Sequence, residues 1–304
     1  MAELSVIVVN WNTSELLKNC LESIYSNLDK KLRIEIVVVD NASSDDSVAM
    51  VKACFPRVKL IENNQNVGFA RANNQAVGVA TGKYLLLLNS DTIVLDDGAL
   101  EVLGFMEENP EVGIVTAKLQ YEDGEFQPPY RRFPGFWGTF WRNTFRRIRS
   151  TNSAGQKRFL YSDLDPESVH EVDWGTGAYL YVSRSLVTGG KIFNEDIFMY
   201  YEDTILCKRA GEEGFRVMYL PFAPVIHLRD RSASKVKLHS LKYSFQGSII
   251  YIRHIYGPVV SAVYRYAVRV VWRMLYLACR LVPSSRFSTK AQLFRYMINE
   301  CTFK

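Results

Sequence analysis

The sequence predicts an α/β fold built on a mostly parallel sheet. Short apolar runs without alternation recur through the first third of the chain, and segments of helical period separate them. Polar clusters sit at the carboxyl ends of these runs. Unalternated runs of this kind read as strands buried on both faces, as in a sheet covered by helices.

Leu4–Val9 is the first run, and it stops at Asn10-Trp-Asn-Thr-Ser, a polar loop rich in helix-capping residues. Leu16, Leu17, Cys20, Leu21, Ile24 and Leu28 then give Glu15–Leu28 a helical period. Ile34–Val39 is a second buried strand, closed by Asp40-Asn-Ala-Ser-Ser-Asp. A helix over Ser47–Phe55, a strand over Val58–Ile61 and a helix over Gly68–Ala80 continue the alternation. The strand Tyr84–Leu88 ends it at Asn89-Ser-Asp91. Ligands of open α/β sheets bind outside the carboxyl ends of the strands, so the clusters at 10–13, 40–45 and 89–91 form one site.

Between Phe126 and Tyr161 the pattern breaks. This stretch has eight basic residues, no acidic one and many aromatics, and reads as a long insertion or mobile flap. Regular structure resumes at Val172, with a strand over Tyr179–Val182, a helix over Asp203–Glu213 and a strand over Arg216–Leu220. The chain thus divides into a catalytic unit, 1–228, carrying the flap 126–161, and a helical, basic region, 229–304.

The net charge of +5 conceals that division. Fourteen Lys and Arg face only Asp230 and Glu300 from His227 onward, a local excess of +12, which leaves −7 on the rest. A basic tail on an acidic body calls for an anionic partner. The five cysteines form no CxxC pair or Cys/His cluster, which argues against a disulfide framework or zinc site and fits a reducing cytoplasm. No basic n-region or cleavage motif precedes the first strand, so no conventional signal peptide is expected. Phosphate-loop, dinucleotide, HExxH and GxSxG fingerprints are absent.

Several residues have the chemistry for a site, each with a plainer alternative. Asp40 suits acceptance of a ring N–H, which uracil and thymine carry and cytosine lacks; equally, it suits a helix cap. Asp91, at the mouth of a buried strand, suits a divalent cation that neutralises a diphosphate, or again a cap. Glu202 and Asp203 open a helix, either as charges that complement its dipole or as a general base with an orienting neighbour. His227 is a structural histidine or a metal ligand. Trp174, followed by Gly-Thr-Gly177, offers a face for a sugar ring or packs as an ordinary core residue.

The order of the pieces resembles glycosyltransferase family 2. Val6-Ile-Val-Val-Asn-Trp-Asn-Thr13 and Val37-Val-Val-Asp-Asn-Ala-Ser-Ser-Asp45 match its opening, followed by Asn66-Val-Gly-Phe-Ala-Arg-Ala-Asn-Asn74, Leu88-Asn-Ser-Asp91, Val172-Asp-Trp-Gly-Thr-Gly-Ala178 and Phe198-Met-Tyr-Tyr-Glu-Asp203. The match covers roughly residues 4–228 and is most similar to the rhamnosyltransferase branch, which uses dTDP-L-rhamnose to build surface polysaccharides. The resemblance implies a GT-A fold, Rossmann-like, with the helical basic extension appended. It implies an inverting displacement on a dTDP- or UDP-sugar. Asn10, Asn12, Asp40, Asn41, Arg71, Asn89 and Ser90 would bind the donor, Asp91 and His227 would hold Mg²⁺ or Mn²⁺, Asp203 would be the base with Glu202 beside it, and Trp174 and Gly177 would border the acceptor. Asn89 stands where many members have the first Asp of Asp-x-Asp, and Ile205 where many have a second Asp after Glu-Asp.

From Pro258 to Pro283 the chain is apolar except for Arg265, Arg269, Arg273 and Arg280, which share roughly an 80° arc of a helix. Four charges make a membrane span costly. An interfacial helix on the inner face of the cell membrane, near a lipid-linked glycan acceptor, is the expectation. The alternative is a helix packed on the catalytic unit or in a homodimer. Nucleic acid is not expected as a partner. Two other function classes remain: a nucleotidyltransferase, which lacks its Gly-rich basic signature here, and a non-catalytic binder, which leaves the ordered acidic motifs without a role.

Overall fold

Residues 3–28, 32–145, 158–228, 237–281 and 285–300 are described by the computed structural model. The first half alternates as the apolar runs require: β1 (Leu4–Asn10), α1 (Ser14–Asn27), β2 (Ile34–Asp40), α2 (Ser47–Cys54), β3 (Lys59–Glu62), α3 (Phe69–Val79) and β4 (Tyr84–Asn89). Then follow β5 (Thr92–Val94), α4 (Ala99–Glu108), β6 (Val112–Gln120), β7 (Phe126–Gln127), β8 (Tyr130–Arg131) and α5 (Phe136–Thr144). After these come β9 (His170–Glu171), β10 (Trp174–Gly175), β11 (Tyr179–Ser183), α6 (Glu202–Glu212) and β12 (Arg216–His227). The last elements are α7 (Lys237–Leu281) and α8 (Ser285–Glu300).

The main sheet runs β3-β2-β1-β4-β11-β6-β12-β5. Its first four strands are parallel, whereas β11 is antiparallel to both β4 and β6, so the second half is mixed. Successive side chains of a strand point to opposite faces, and β1 follows this. Val6 and Val8 pack with Leu17, Leu21 and Ile24 of α1 on one face, while Ile7 packs with Ala72 and Ala76 of α3 on the other. Both faces are covered, hence the unalternated run.

Two expectations change and one element divides. The strand expected to stop at Leu220 continues to His227, because the register shifts between Leu220 and Val225 and Ala223 takes a left-handed φ of 57°. Proline has no N–H for a ladder, and a bulge lets the strand pass Pro221 and Pro224. The stretch 126–161 holds regular structure where it is described. There β7 pairs with β6, β8 pairs with β10, and α5 buries Phe136 and Phe140 against the C-terminal helices; 146–157 lie outside the described residues. Finally, α7 is two helices joined at Gly257, whose φ of 84° and following Pro258 make an elbow.

The C-terminal helices share a third core with the catalytic unit. Ile197, Tyr201 and Ile205 pack with Phe245, Ile252, Tyr264, Val268 and Trp272 of α7 and with Phe294 and Met297 of α8.

Candidate active site

Register brings the strand ends together: Asn10 stands beside Asp40, and Val9 beside Asn89. Asp40 is buried, with Oδ2 accepting from Asn10 Nδ2 at 3.0 Å and Oδ1 from the Ser43 amide at 2.8 Å. Thr13 Oγ1 donates to Asn10 Oδ1 at 2.6 Å and lies 2.9 Å from Ser90 Oγ. One chain of contacts therefore links three strand ends. A carboxylate with two donors keeps lone pairs for another, so Asp40 retains capacity for a base N–H.

Other expected donor residues brace the rim. Asn12, at a φ of 55°, accepts from the Ser44 amide at 2.7 Å. Asn41 donates to Asn66 Oδ1 at 3.0 Å and to Gly68 O at 3.3 Å, and accepts from the Val67 amide at 3.1 Å. Arg71 is exposed on α3, and its Nε donates to Glu195 O at 3.1 Å, tying α3 to the loop ahead of α6. Gly68 matters at the same rim. With φ at 89° and a Cβ that would fall 2.6 Å from Phe198 O, only glycine fits where the two loops meet.

Asp91 and His227 meet although 136 positions separate them in the chain, because β5 and β12 pair and Leu228 donates its amide to Asp91 O at 2.9 Å. His227 Nε2 is 3.4 Å from Asp91 Oδ1 and 3.5 Å from Asn89 Nδ2, and its Nδ1 is 2.7 Å from Gln127 Oε1. An amide oxygen only accepts, so with this orientation Nδ1 donates to Gln127 and Nε2 is the nitrogen that faces the carboxylate. A carboxylate and an imidazole nitrogen are both groups able to ligate a metal ion, and here they face each other. Among the described residues no group of three His, Cys, Asp or Glu could hold a metal ion by itself.

Asp203 enters from the other side. Tyr200 and Tyr201 both lie in the left-handed region, at φ of 73° and 76°, an uncommon state for residues with side chains, and they turn the chain into α6. The Gly177 amide donates to Asp203 Oδ2 at 3.1 Å, and the Thr204 amide to Oδ1 at 2.7 Å. The next residue, Ala178, accepts from the Asn89 amide at 3.0 Å. Asp203 and the Asn89–Asp91 turn are therefore joined through two adjacent residues.

The two acids differ. Burial raises the Asp203 carboxyl above its ordinary range, opposed by the Gly177 and Thr204 bonds and the Arg131 charge. Glu202 rises well above its own range, by burial first and then by the Asp203 charge, and its Oε2 has no hydrogen-bond partner. Both acids are thus raised, and only Asp203 has bonds and a positive charge that oppose the rise. Trp174 is half-buried, fixed by Nε1 donating to Arg132 O at 3.0 Å.

Gln127 and Arg131 join the site without having been expected there, whereas Thr13 and Ser43 belong to the polar clusters placed at the strand ends. Gln127 lies 100 positions from His227, and its partnership leaves no local pattern. Arg131 was visible only as one charge of a basic stretch.

A family model described as Glycosyl transferase family 2 matches residues 5–164, just over half of the chain. The chain belongs to glycosyl transferase family 2. Among relatives of this family 2 transferase is the N-acetylglucosaminyl-diphospho-decaprenol L-rhamnosyltransferase of Mycobacterium tuberculosis (strain H37Rv). It is 25% identical over 270 residues that cover 82% of this chain and 83% of the relative. Rhamnosyltransferase WbbL of Escherichia coli (strain K12) is 28% identical over 232 residues, covering 73% and 82%. In both cases the similarity runs along most of both proteins. A mannosyltransferase from Pyrobaculum calidifontis, solved with GDP-mannose and Mn²⁺, aligns over 99% of this chain and 86% of its own at a TM-score of 0.56 and 18% identity. The fold is GT-A.

Proposed function

We propose that this glycosyltransferase moves L-rhamnose from dTDP-L-rhamnose to a lipid-linked or polysaccharide acceptor in cell-surface glycan synthesis, inverting the anomeric centre. The observation that carries the reading is the join between Asp203 and the Asn89–Asp91 turn. A partly buried carboxylate of raised pKa is tied through Gly177 and Ala178 to the expected diphosphate site. Asp40 would accept the pyrimidine N–H, Asn10, Thr13, Ser43 and Ser90 would hold it in place, and Asn12, Asn41 and Arg71 would fix the surrounding loops. Asp203 would take the proton of the acceptor hydroxyl as it attacks the anomeric carbon, with Glu202 beside it. Trp174 and Gly177 would bound the acceptor. Asp91 and His227 would hold Mg²⁺ or Mn²⁺, which when bound offsets charge on the departing diphosphate.

Asp40 reads thymine and uracil by the same ring N–H, so a UDP-sugar is the second reading for the donor. The test measures nucleoside diphosphate released from dTDP- and UDP-sugars, with either metal and a membrane lipid extract as acceptor, beside Asp203→Asn. Metal-dependent turnover of dTDP-rhamnose, lost in the variant, is the expected result. Turnover of a UDP-sugar alone would overturn the rhamnose assignment. Absence of pyrimidine-nucleotide binding by calorimetry would overturn the whole reading.

The membrane surface is the proposed second partner, on its cytoplasmic face. No helix among the described residues is long and apolar enough to cross a membrane. Beyond the elbow, α7 has two apolar rows. Tyr264, Val268, Trp272 and Cys279 are buried, while Val259, Val263, Tyr266, Met274, Leu277 and Leu281 are exposed on the opposite side. Arg265, Arg269, Arg273 and Arg280 line one border between them. An exposed apolar row edged by arginines complements an anionic bilayer lying along it.

A further inference from the structure

β8 and β10 form a two-stranded ribbon in which Arg131 stands opposite Trp174 and Tyr130 opposite Gly175. The Arg131 guanidinium lies 5.8 Å from the centre of a Trp174 ring. Its Nη1 donates to Pro128 O at 2.8 Å and Tyr130 O at 2.9 Å, so the cation is held in place. Three residues past Trp174, the Gly177 amide binds Asp203. The Arg131 charge acts on Asp203, opposing the effect of burial. A ring platform, a fixed guanidinium and a carboxylate therefore occupy one corner of the site.

Each has a partner chemistry. An indole face suits the apolar side of a pyranose, and a guanidinium fork suits phosphate oxygens, which accept two parallel bonds. In a sugar phosphorylated at its anomeric carbon, a single ring separates the phosphate from the other hydroxyls. The expected holders of the metal that would meet the donor diphosphate lie elsewhere, at Asp91 and His227.

We propose that Arg131 and Trp174 form an acceptor subsite for a pyranose linked through its anomeric carbon to a phosphate or diphosphate, with Arg131 binding the phosphate. This rests on Asp203 being the base. The next element agrees with it: on α5, Trp137 and Trp141 are 69% and 56% exposed and one turn apart, suited to the interface where the lipid of such an acceptor begins. The competing role for Arg131 is a staple of the ribbon turn, without a ligand.

The test compares two ligands carrying the same sugar: N-acetylglucosamine on a short prenyl diphosphate, and octyl N-acetylglucosaminide. Affinities for the full chain are measured by calorimetry with the donor nucleotide present, for the wild type, Arg131→Gln and Arg131→Lys. The expected result is at least tenfold tighter wild-type binding of the diphosphate ligand, a preference that collapses in Arg131→Gln and largely returns in Arg131→Lys. Equal wild-type affinities would overturn the proposal, as would a preference that survives in Arg131→Gln. Equal weakening of both ligands would assign Arg131 to the staple, and weakened donor binding alone would assign it to the donor. Donor turnover, measured separately, tests the reaction itself, so an inert enzyme that keeps the preference would retain the subsite and lose Asp203 as base.

Discussion

Glu202 and Asp203 are adjacent in the chain, the first buried and the second partly so, yet only Asp203 has hydrogen-bond donors on both oxygens. Exchanging Asp203 for Asn is expected to lower kcat by roughly 10²–10⁴-fold with the donor Kd retained, since a general base contributes about that much; calorimetry and a rate assay check both parts. Asp203 must be ionised to act, and its pKa is raised, so activity should fall with acid already above the ordinary Asp range. Glu202 gives a stability prediction of definite sign. Its native pKa lies above its unfolded one, so the native state binds more protons and stability is lost as pH rises from about 4.3, the ordinary Glu value, toward the native pKa. Glu202→Gln should therefore gain melting temperature relative to wild type at pH 8 and less at pH 5, and equal gains at both would refute the assignment. Gln127→Leu removes the acceptor that orients His227, and the Mn²⁺ concentration for half-activation should rise roughly tenfold, as for other residues behind a metal ligand. The strand-end residues of this site were legible, because polar residues closing buried runs have few other uses. Gln127 and Arg131 were not, since their roles come from pairing across the sheet and the ribbon.

Helix α7 approaches the turn before α6 so closely that a Cβ on Gly247 would fall 2.2 Å from Tyr200 O, with no flexible side chain to yield. That carbonyl belongs to one of two consecutive left-handed residues that set the direction of Asp203. Gly247→Ala should cost about 1–3 kcal/mol, as overpacking does, and should lower kcat through the displaced base. Gly211→Ala, on α6 with nothing within 4 Å of its Cβ, is the control. It should leave both stability and rate near wild type or slightly raise the melting point. Melting and rate measurements on the pair decide whether α7 holds the base loop or merely rests on it. Composition reveals α7 as helical and basic. The contact with Tyr200 is invisible there, because it depends on which face of the helix arrives.

The third core makes the C-terminal helices part of the same body as the sheet, while their outer row stays open to solvent. The two sides of α7 can therefore be tested apart. Val263→Glu with Leu277→Glu alters only exposed positions. The double variant should lose co-sedimentation with vesicles of phosphatidylglycerol while retaining its melting temperature. Neutral phosphatidylcholine vesicles should bind even the wild type weakly, and binding should decline with salt, because the arginine border acts through screened charge. A wild type that ignores both vesicles and sediments as a dimer would assign the row to a second copy of the chain.

Local sequence determined the α/β class, the parallel first half of the sheet and the position of the site at its strand ends. Apolar runs of strand length and polar residues at their ends are local properties, and burial on both faces leaves them little freedom. Tertiary structure decided the rest. It carried β12 past two prolines to bring His227 to Asp91, set Gln127 behind that histidine, and stood Arg131 beside Trp174. It also gave the basic helix one face for the Tyr200–Tyr201 turn and another for solvent. Each of these depends on which distant segments meet, and a meeting across a hundred residues leaves no periodicity for the sequence to display.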